Sequence, residues 1–178
     1  VAVGGEHERP GRAAIDELAA AGMGRASVIG GEPLLHPDAP ELLRHLKRAG
    51  VHASMNTNGW LVPDRVDELD GLDLACVTLD GPEGVHDAQR RKGSYARVLR
   101  AIELLRGRGV AVVTMTVVTA AGIDHAAHVL EVARAHGVRA YFQLEHDARM
   151  DVRLPIAPAL SPERVADFAR DLLARKRA

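Results

Sequence analysis

The sequence predicts an α/β protein built on a parallel sheet. Three observations predict it. Five short runs dominated by apolar residues recur along the chain, with β-branched residues concentrated in the fourth. Amphipathic helical stripes separate these runs, and glycines close three of the stripes just before the next run begins. Strands separated by helices need crossover connections, and crossovers give parallel pairs.

Each element follows in order. The first helical stripe lies in Ala13 to Ala21, with Ile15, Leu18 and Ala19 at i, i+3, i+4 spacing. The first strand is Ala26 to Ile29. Leu42, Leu43 and Leu46 mark a second helix, and Val51 to Asn56 the second strand. Val66 and Leu69 mark a shorter third helix before the strand Leu74 to Leu79. Val98, Leu99, Ile102 and Leu105 mark the fourth helix, followed by the strand Val110 to Val118. Val129, Leu130 and Ala133 mark the fifth, followed by Arg139 to Leu144, and Val165, Phe168, Leu172 and Leu173 mark the last. Gly50, Gly109 and Gly137 sit where left-handed helix ends are expected. Ser94 is the expected N-cap of the fourth helix, and Ser161 with Pro162 opens the last. Asp38 and Asp64 are candidate caps for the second and third. The strand runs read as apolar throughout, which predicts burial on both faces. No strand precedes the first helix, because Val1 to Gly11 is polar and Gly-rich after Val3. Pro155 to Pro162 bridges the last strand to the last helix.

Composition narrows the function. A length of 178 residues predicts one domain over 1–178, with a sizeable core. A hydrophobic fraction of 47% with 26% charged residues excludes a disordered chain. The net charge of -1 argues against a nucleic-acid-binding domain. No apolar run approaches the roughly 20 residues that span a bilayer, so no membrane partner is expected. The N-terminus is too acidic for a signal peptide, and the expected compartment is the cytoplasm. One cysteine, Cys76, excludes a disulfide framework and a Cys-rich metal site within the chain, so no metal ligands are assigned. The chain is too short for a complete eight-fold barrel, which takes about 250 residues.

Parallel α/β folds bind ligands at the C-terminal ends of their strands. The first strand runs into Gly30-Gly31-Glu32-Pro33. Two glycines let the backbone approach a ligand, and Pro33 holds Glu32 extended. Such a segment suits the ammonium of an amino acid, and it also reads as a tight turn beside a solvated carboxylate. Asn56 and Asn58 either orient a polar ligand or make an Asn-Gly turn. Asp80 sits where a carboxylate receives two ribose hydroxyls, or makes an Asx turn with Gly81; Thr78 is a neighbouring hydroxyl or a plain strand former. His86 and Asp87 are adjacent and do not face one another on a helix, so a dyad is not expected. Arg90 suits a carboxylate clamp or a mixed-charge surface loop. His125, His128 and Glu131 read as a solvated helix face, and Cys76 as a buried small hydrophobe. Gln143 and Glu145-His146-Asp147 close the last strand, the latter as an acid–base cluster or a solvated loop.

Taken together these runs resemble the radical S-adenosylmethionine superfamily. Val28 to Asp38 is similar to that family's methionine-binding segment, and Asn56-Thr57-Asn58-Gly59 to the end of its third strand. Thr78-Leu79-Asp80-Gly81-Pro82, then His86-Asp87, Arg90 and Gly93-Ser94-Tyr95, resembles its fourth βα unit, with Thr78 where Ser is commoner. The resemblance covers about residues 11 to 146. It implies an α/β fold, a partial parallel (β/α) barrel whose strands two to six are present here and whose first strand is missing. It also implies S-adenosylmethionine and a 4Fe-4S cluster as cofactors, with cleavage to a 5'-deoxyadenosyl radical. Carried over, Gly30, Gly31, Glu32 and Pro33 hold the methionine end. Asn56 and Asn58 line the mouth, Thr78 and Asp80 approach the ribose, and Arg90 and Gln143 contact substrate. The implied partners are a peptide or small-molecule substrate and an electron donor such as flavodoxin or ferredoxin.

Two departures stand out. The family's Cys-x-x-x-Cys-x-x-Cys motif is absent, so the chain resembles an N-terminally truncated enzyme and, alone, is expected to be inactive. Ala121-Gly122-Ile123 also stands where relatives often carry Asn. The competing reading is a degenerate, non-catalytic relative that docks a peptide or partner. A phosphate-binding barrel of the aldolase kind is disfavoured, because no late strand ends in a Gly-rich phosphate loop.

Overall fold

The computed structural model describes residues 10–145 and 160–177. Five strands form one sheet: β1 (Arg25–Val28), β2 (His52–Thr57), β3 (Leu74–Thr78), β4 (Ala111–Val118) and β5 (Arg139–Leu144). Their spatial order is β1-β2-β3-β4-β5, and every neighbouring pair is parallel. The helices are α1 (Pro10–Ala20), α2 (Ala39–Arg48), α3 (Val62–Arg65), α4 (Glu83–Gln89), α5 (Ser94–Gly107), α6 (Ala126–Ala135) and α7 (Pro162–Arg177). Short 3-10 turns lie at Pro33–Leu35, Val66–Glu68 and Ile123–His125. Sequential order with right-handed crossovers puts successive helices on the same face, which curls the sheet into an arc of a barrel. Among the described residues β1 and β5 are its edges.

One-sided cover decides the burial pattern. Expected burial on both faces is corrected here: β2, β3 and β4 alternate buried and half-buried positions. Ala53, Met55, Ala75, Val77, Val112 and Thr114 face the helices and are buried. The register puts Asn56, Cys76 and Val113 in one row on the opposite face, with Thr78, Met115 and Tyr141 in the next. That face is half-covered, and Tyr141 is 52% exposed. The core lies between sheet and helices. Leu43 and Leu46 of α2, Val98, Ile102 and Leu105 of α5, and Val129 of α6 pack there against the strands. Ile15 and Ala19 bring α1 onto the same core.

Local signals produced most of the boundaries. Gly50, Gly109 and Gly137 have φ of +74°, +78° and +60°, as helix-ending glycines require. Arg164 N donates to Ser161 Oγ at 3.3 Å, so Ser161 caps α7. The other caps differ from expectation. Asp38 precedes α2 without a side-chain cap bond, and Asp64 lies inside α3, paired with Arg97. Gly93, not Ser94, precedes α5, and the cap comes from Asp87 on α4. Helix α4 itself is unforeseen, because seven residues whose only aliphatic side chains are Val85 and Ala88 carry no stripe. Gly71 is fixed by proximity: a Cβ there would lie 2.4 Å from Arg44 N of α2. No described helix is long and apolar enough to cross a membrane. Val1 to Arg9 and most of the Pro155 to Pro162 bridge lie outside the described residues.

This core predicts a sharp contrast. Leu43 is fully buried and Leu35 is 74% exposed, one on the core face and one on the surface. Leu43→Ala lowers the unfolding free energy by about 2–5 kcal/mol. Leu35→Ala changes it by about 0.5 kcal/mol or less. Urea denaturation followed by circular dichroism checks both.

Candidate functional site

The ends of β1 and β2 are joined through one carboxylate. Glu32 accepts from Leu34 N at 3.1 Å, from Asn58 N at 2.7 Å, and from Thr57 Oγ1, which lies 3.0 Å from both oxygens. The Thr57 hydroxyl in turn accepts from Gly59 N at 3.1 Å. Arg65, paired with Glu68, donates to the Leu34 carbonyl. Leu34 is buried in the core, so the segment after β1 is held at both ends. Gly30 and Gly31 are held between these anchors with open space around their Cα atoms. Gly30 has φ +153°, a conformation L side chains rarely adopt. Pro33 begins the 3-10 turn that Glu32 caps. Three internal donors therefore occupy Glu32, a use of this residue that the sequence reading did not anticipate.

The second cluster gathers at the end of β3. Asp80 is buried and accepts from Arg90 Nε at 2.8 Å and, more loosely, from Arg90 Nη2 at 3.3 Å. His86 Nδ1 lies 3.2 Å from Asp80 N and 3.3 Å from Asp80 Oδ2. Burial alone would raise the Asp80 pKa, but hydrogen bonds and charge from His86 and Arg90 hold it below the ordinary carboxylate value. The sequence placed Arg90 against substrate; in this structure its guanidinium is engaged with Asp80. His86 and Asp87 work separately, as their adjacency required. Asp87 accepts from Tyr95 N at 2.8 Å, from Gly93 N and from Ser94 Oγ, and those backbone donors lower its pKa.

The remaining candidates divide. Asn58 takes Trp60 N on its own Oδ1 at 2.9 Å, which is the turn geometry. Asn56, Thr78 and Gln143 share the open face of the sheet by register. Cys76 is on that face too, in register with Asn56 and half-buried rather than buried as expected. Burial raises its thiol pKa. His128 departs from the solvated reading: its Nε2 meets the Tyr95 hydroxyl at 2.8 Å. Trp60, just past Asn58, carries the Arg91 guanidinium 3.3 Å from its ring centroid, with Arg97 at 4.8 Å. Glu145 is exposed at the end of β5, and His146 and Asp147 lie outside the described residues. Among the described residues no group of three or more His, Cys, Asp or Glu is arranged to hold a metal ion.

Two measurements follow from this geometry. Thr57→Val removes a donor from Glu32 and orphans Gly59 N–H, lowering stability by about 1–3 kcal/mol, while Thr57→Ser stays close to the parent. Equal urea midpoints for Val and parent would contradict the clamp. For Asp87 the native pKa is depressed, so its stabilisation is fully present above the unfolded value of about 4 and is lost as pH falls through the native value. The melting-temperature gap between parent and Asp87→Asn is therefore full at neutral pH and closes in acid.

Comparison with known proteins meets this geometry. The family model for the radical SAM superfamily matches residues 11–133. An AdoMet-dependent heme synthase of Methanosarcina barkeri is 33% identical over 152 residues, covering 82% of this chain and 44% of the relative. The PqqA peptide cyclase of Ruegeria pomeroyi is 32% identical over 131 residues, covering 71% of this chain and 35% of the relative. The chain thus spans less than half the length of these relatives. Among solved structures, Streptococcus suis SuiB superposes with a TM-score of 0.77 at 13% identity, over 97% of this chain and 42% of that one. Native anSMEcpe with bound AdoMet gives 0.75 at 20% identity, over 98% of this chain and 52% of that one. The parallel arc is therefore the partial barrel of these proteins. With more than half its length matched, the chain belongs to the radical SAM superfamily.

Proposed function

We propose that this chain is the S-adenosylmethionine-binding core of a radical enzyme that modifies a peptide or a small molecule. The observation that carries the reading is the pairing of two preorganised strand ends: the Glu32-clamped glycine segment after β1 and the buried Asp80 carboxylate after β3. The open backbone at Gly30 and Gly31, with Glu32 and Pro33 fixing it, suits the methionine ammonium and carboxylate. Asp80 with Thr78 suits a ribose diol, since a carboxylate oxygen accepts hydroxyl protons. Asn56 and Gln143 line the half-covered face where substrate would lie. A relative named as acting on a peptide, the PqqA peptide cyclase, supports a peptide substrate.

The cluster does not fit within these residues. A 4Fe-4S cluster is held by thiolates, and the sequence offers only Cys76. That thiol is half-buried in a strand, and one thiol cannot supply the several ligands a cluster takes. Radical generation needs thiolates from outside these 178 residues, together with an electron donor. What these residues do is bind and orient the sulfonium ligand and shield it beneath the curved sheet.

Calorimetry with millimolar S-adenosylmethionine tests the reading. Binding is expected to be weak, and Glu32→Gln weakens it by about tenfold or more, because a charge-assisted contact and the loop clamp are lost together. Absence of heat with the parent chain, or equal affinity in parent and variant, overturns the assignment. Anaerobic incubation with iron and sulfide is expected to leave no stable cluster on this chain, read by its visible absorbance.

A further inference from the structure

We propose that His86 is a positioning residue for the nucleoside-binding carboxylate of Asp80. The proposal rests on the reading of Asp80 as the ribose contact. Two groups converge on a single aspartate: His86 from within α4, and Arg90 from the residue that closes its C-terminal end. Arg90 reaches it with a side chain 44% exposed, and His86 reaches it with one that is 1% exposed. Arg90 therefore grips from the solvent side and His86 from behind.

His86 has no other use for its polar atoms. Its Nδ1 serves Asp80 in either protonation state: unprotonated, it accepts Asp80 N–H; protonated, it donates toward Oδ2. Its Nε2 is buried and has no partner among the described residues. A ring buried with one nitrogen orphaned is costlier than an apolar side chain of the same size. What an apolar residue lacks is the Nδ1 contact. That contact holds Asp80 through its backbone N–H when Nδ1 accepts, or through Oδ2 when Nδ1 donates, and in both cases leaves Oδ1, held only by the 3.3 Å bond from Arg90, as the oxygen with room for a hydroxyl. Tyr95 packs edge-on against the imidazole at 6.3 Å between centroids and holds the ring in place.

The probes are adenosine and 2',3'-dideoxyadenosine, added to the whole chain and followed by ligand-observed NMR. Asp80→Asn comes first: about a tenfold loss for adenosine, with the dideoxy analogue unaffected, supports the ribose reading. No loss overturns that reading and the proposal with it. His86→Asn keeps a polar atom at the Nδ1 position, and is expected to stay within about threefold of the parent for adenosine. His86→Gln and His86→Leu lack it and lose about tenfold, again only for adenosine. If Asp80→Asn loses affinity while His86→Gln and His86→Leu do not, or if the smaller Asn is the worst of the three, His86 merely fills space and the proposal fails. Should His86→Leu not fold, the unsubstituted chain decides: the His86 ring nitrogen resonances shift with adenosine and not with the dideoxy analogue. Unmoved resonances under saturating adenosine overturn the proposal.

Discussion

The carboxylate of Glu32 ties two strand ends into one surface. It accepts from the backbone after β2, from the Thr57 hydroxyl and from its own turn, so the segment after β1 cannot drift without breaking all three bonds. Arg65 adds a fourth restraint at the Leu34 carbonyl, and the Leu34 side chain is buried in the core. A glycine pair left free would cost conformational entropy to order on each binding event. Held between these anchors, the pair is already shaped without a ligand, so a ligand bound there would spend less of its interaction energy on ordering.

The same economy appears across the sheet. Among the described residues helices cover one face, which leaves the other to polar and adaptable side chains such as Asn56, Thr78, Met115, Tyr141 and Gln143. The polar groups at the strand ends are braced from the helical layer. Asp80 is braced by α4, and α4 is joined to α5 through Asp87, whose carboxylate serves as the cap that α5 otherwise lacks. Tyr95 on α5 then reaches His128 on α6. A seam of hydrogen bonds thus runs behind the strand ends from α4 to α5 and α6, and the hydrophobic core fixes the latter two helices.

Much of this was legible in the chain. Helical stripes such as Val98, Ile102 and Leu105, and the glycines at 50, 109 and 137, place strands and helices because their signals are local. The strand-end motifs were legible too, since parallel topology sends them all to one rim. What was hidden is which polar groups pair. Thr57 carried no reading of its own within the Asn56-Thr57-Asn58-Gly59 run, yet its hydroxyl joins residues 25 apart. Arg90 and Asp80 read as separate contacts, and an unrecognised short helix brings them together. Alternating burial in β2 and β3 was visible in the polar Asn56 and Thr78, and was masked by the apolar neighbours between them.

The Trp60–Arg91 stack gives the molecule an optical property at its rim. Trp60 is the only tryptophan in the chain, so its emission arises from one place. Its backbone N–H is held by Asn58, one residue beyond the Thr57 clamp, and its carbonyl by Arg97. A guanidinium 3.3 Å from the ring centroid alters the local field around the indole. Any event that shifts Asn58 or draws Arg91 away therefore changes the indole's surroundings, and the rim carries its own fluorophore without a label.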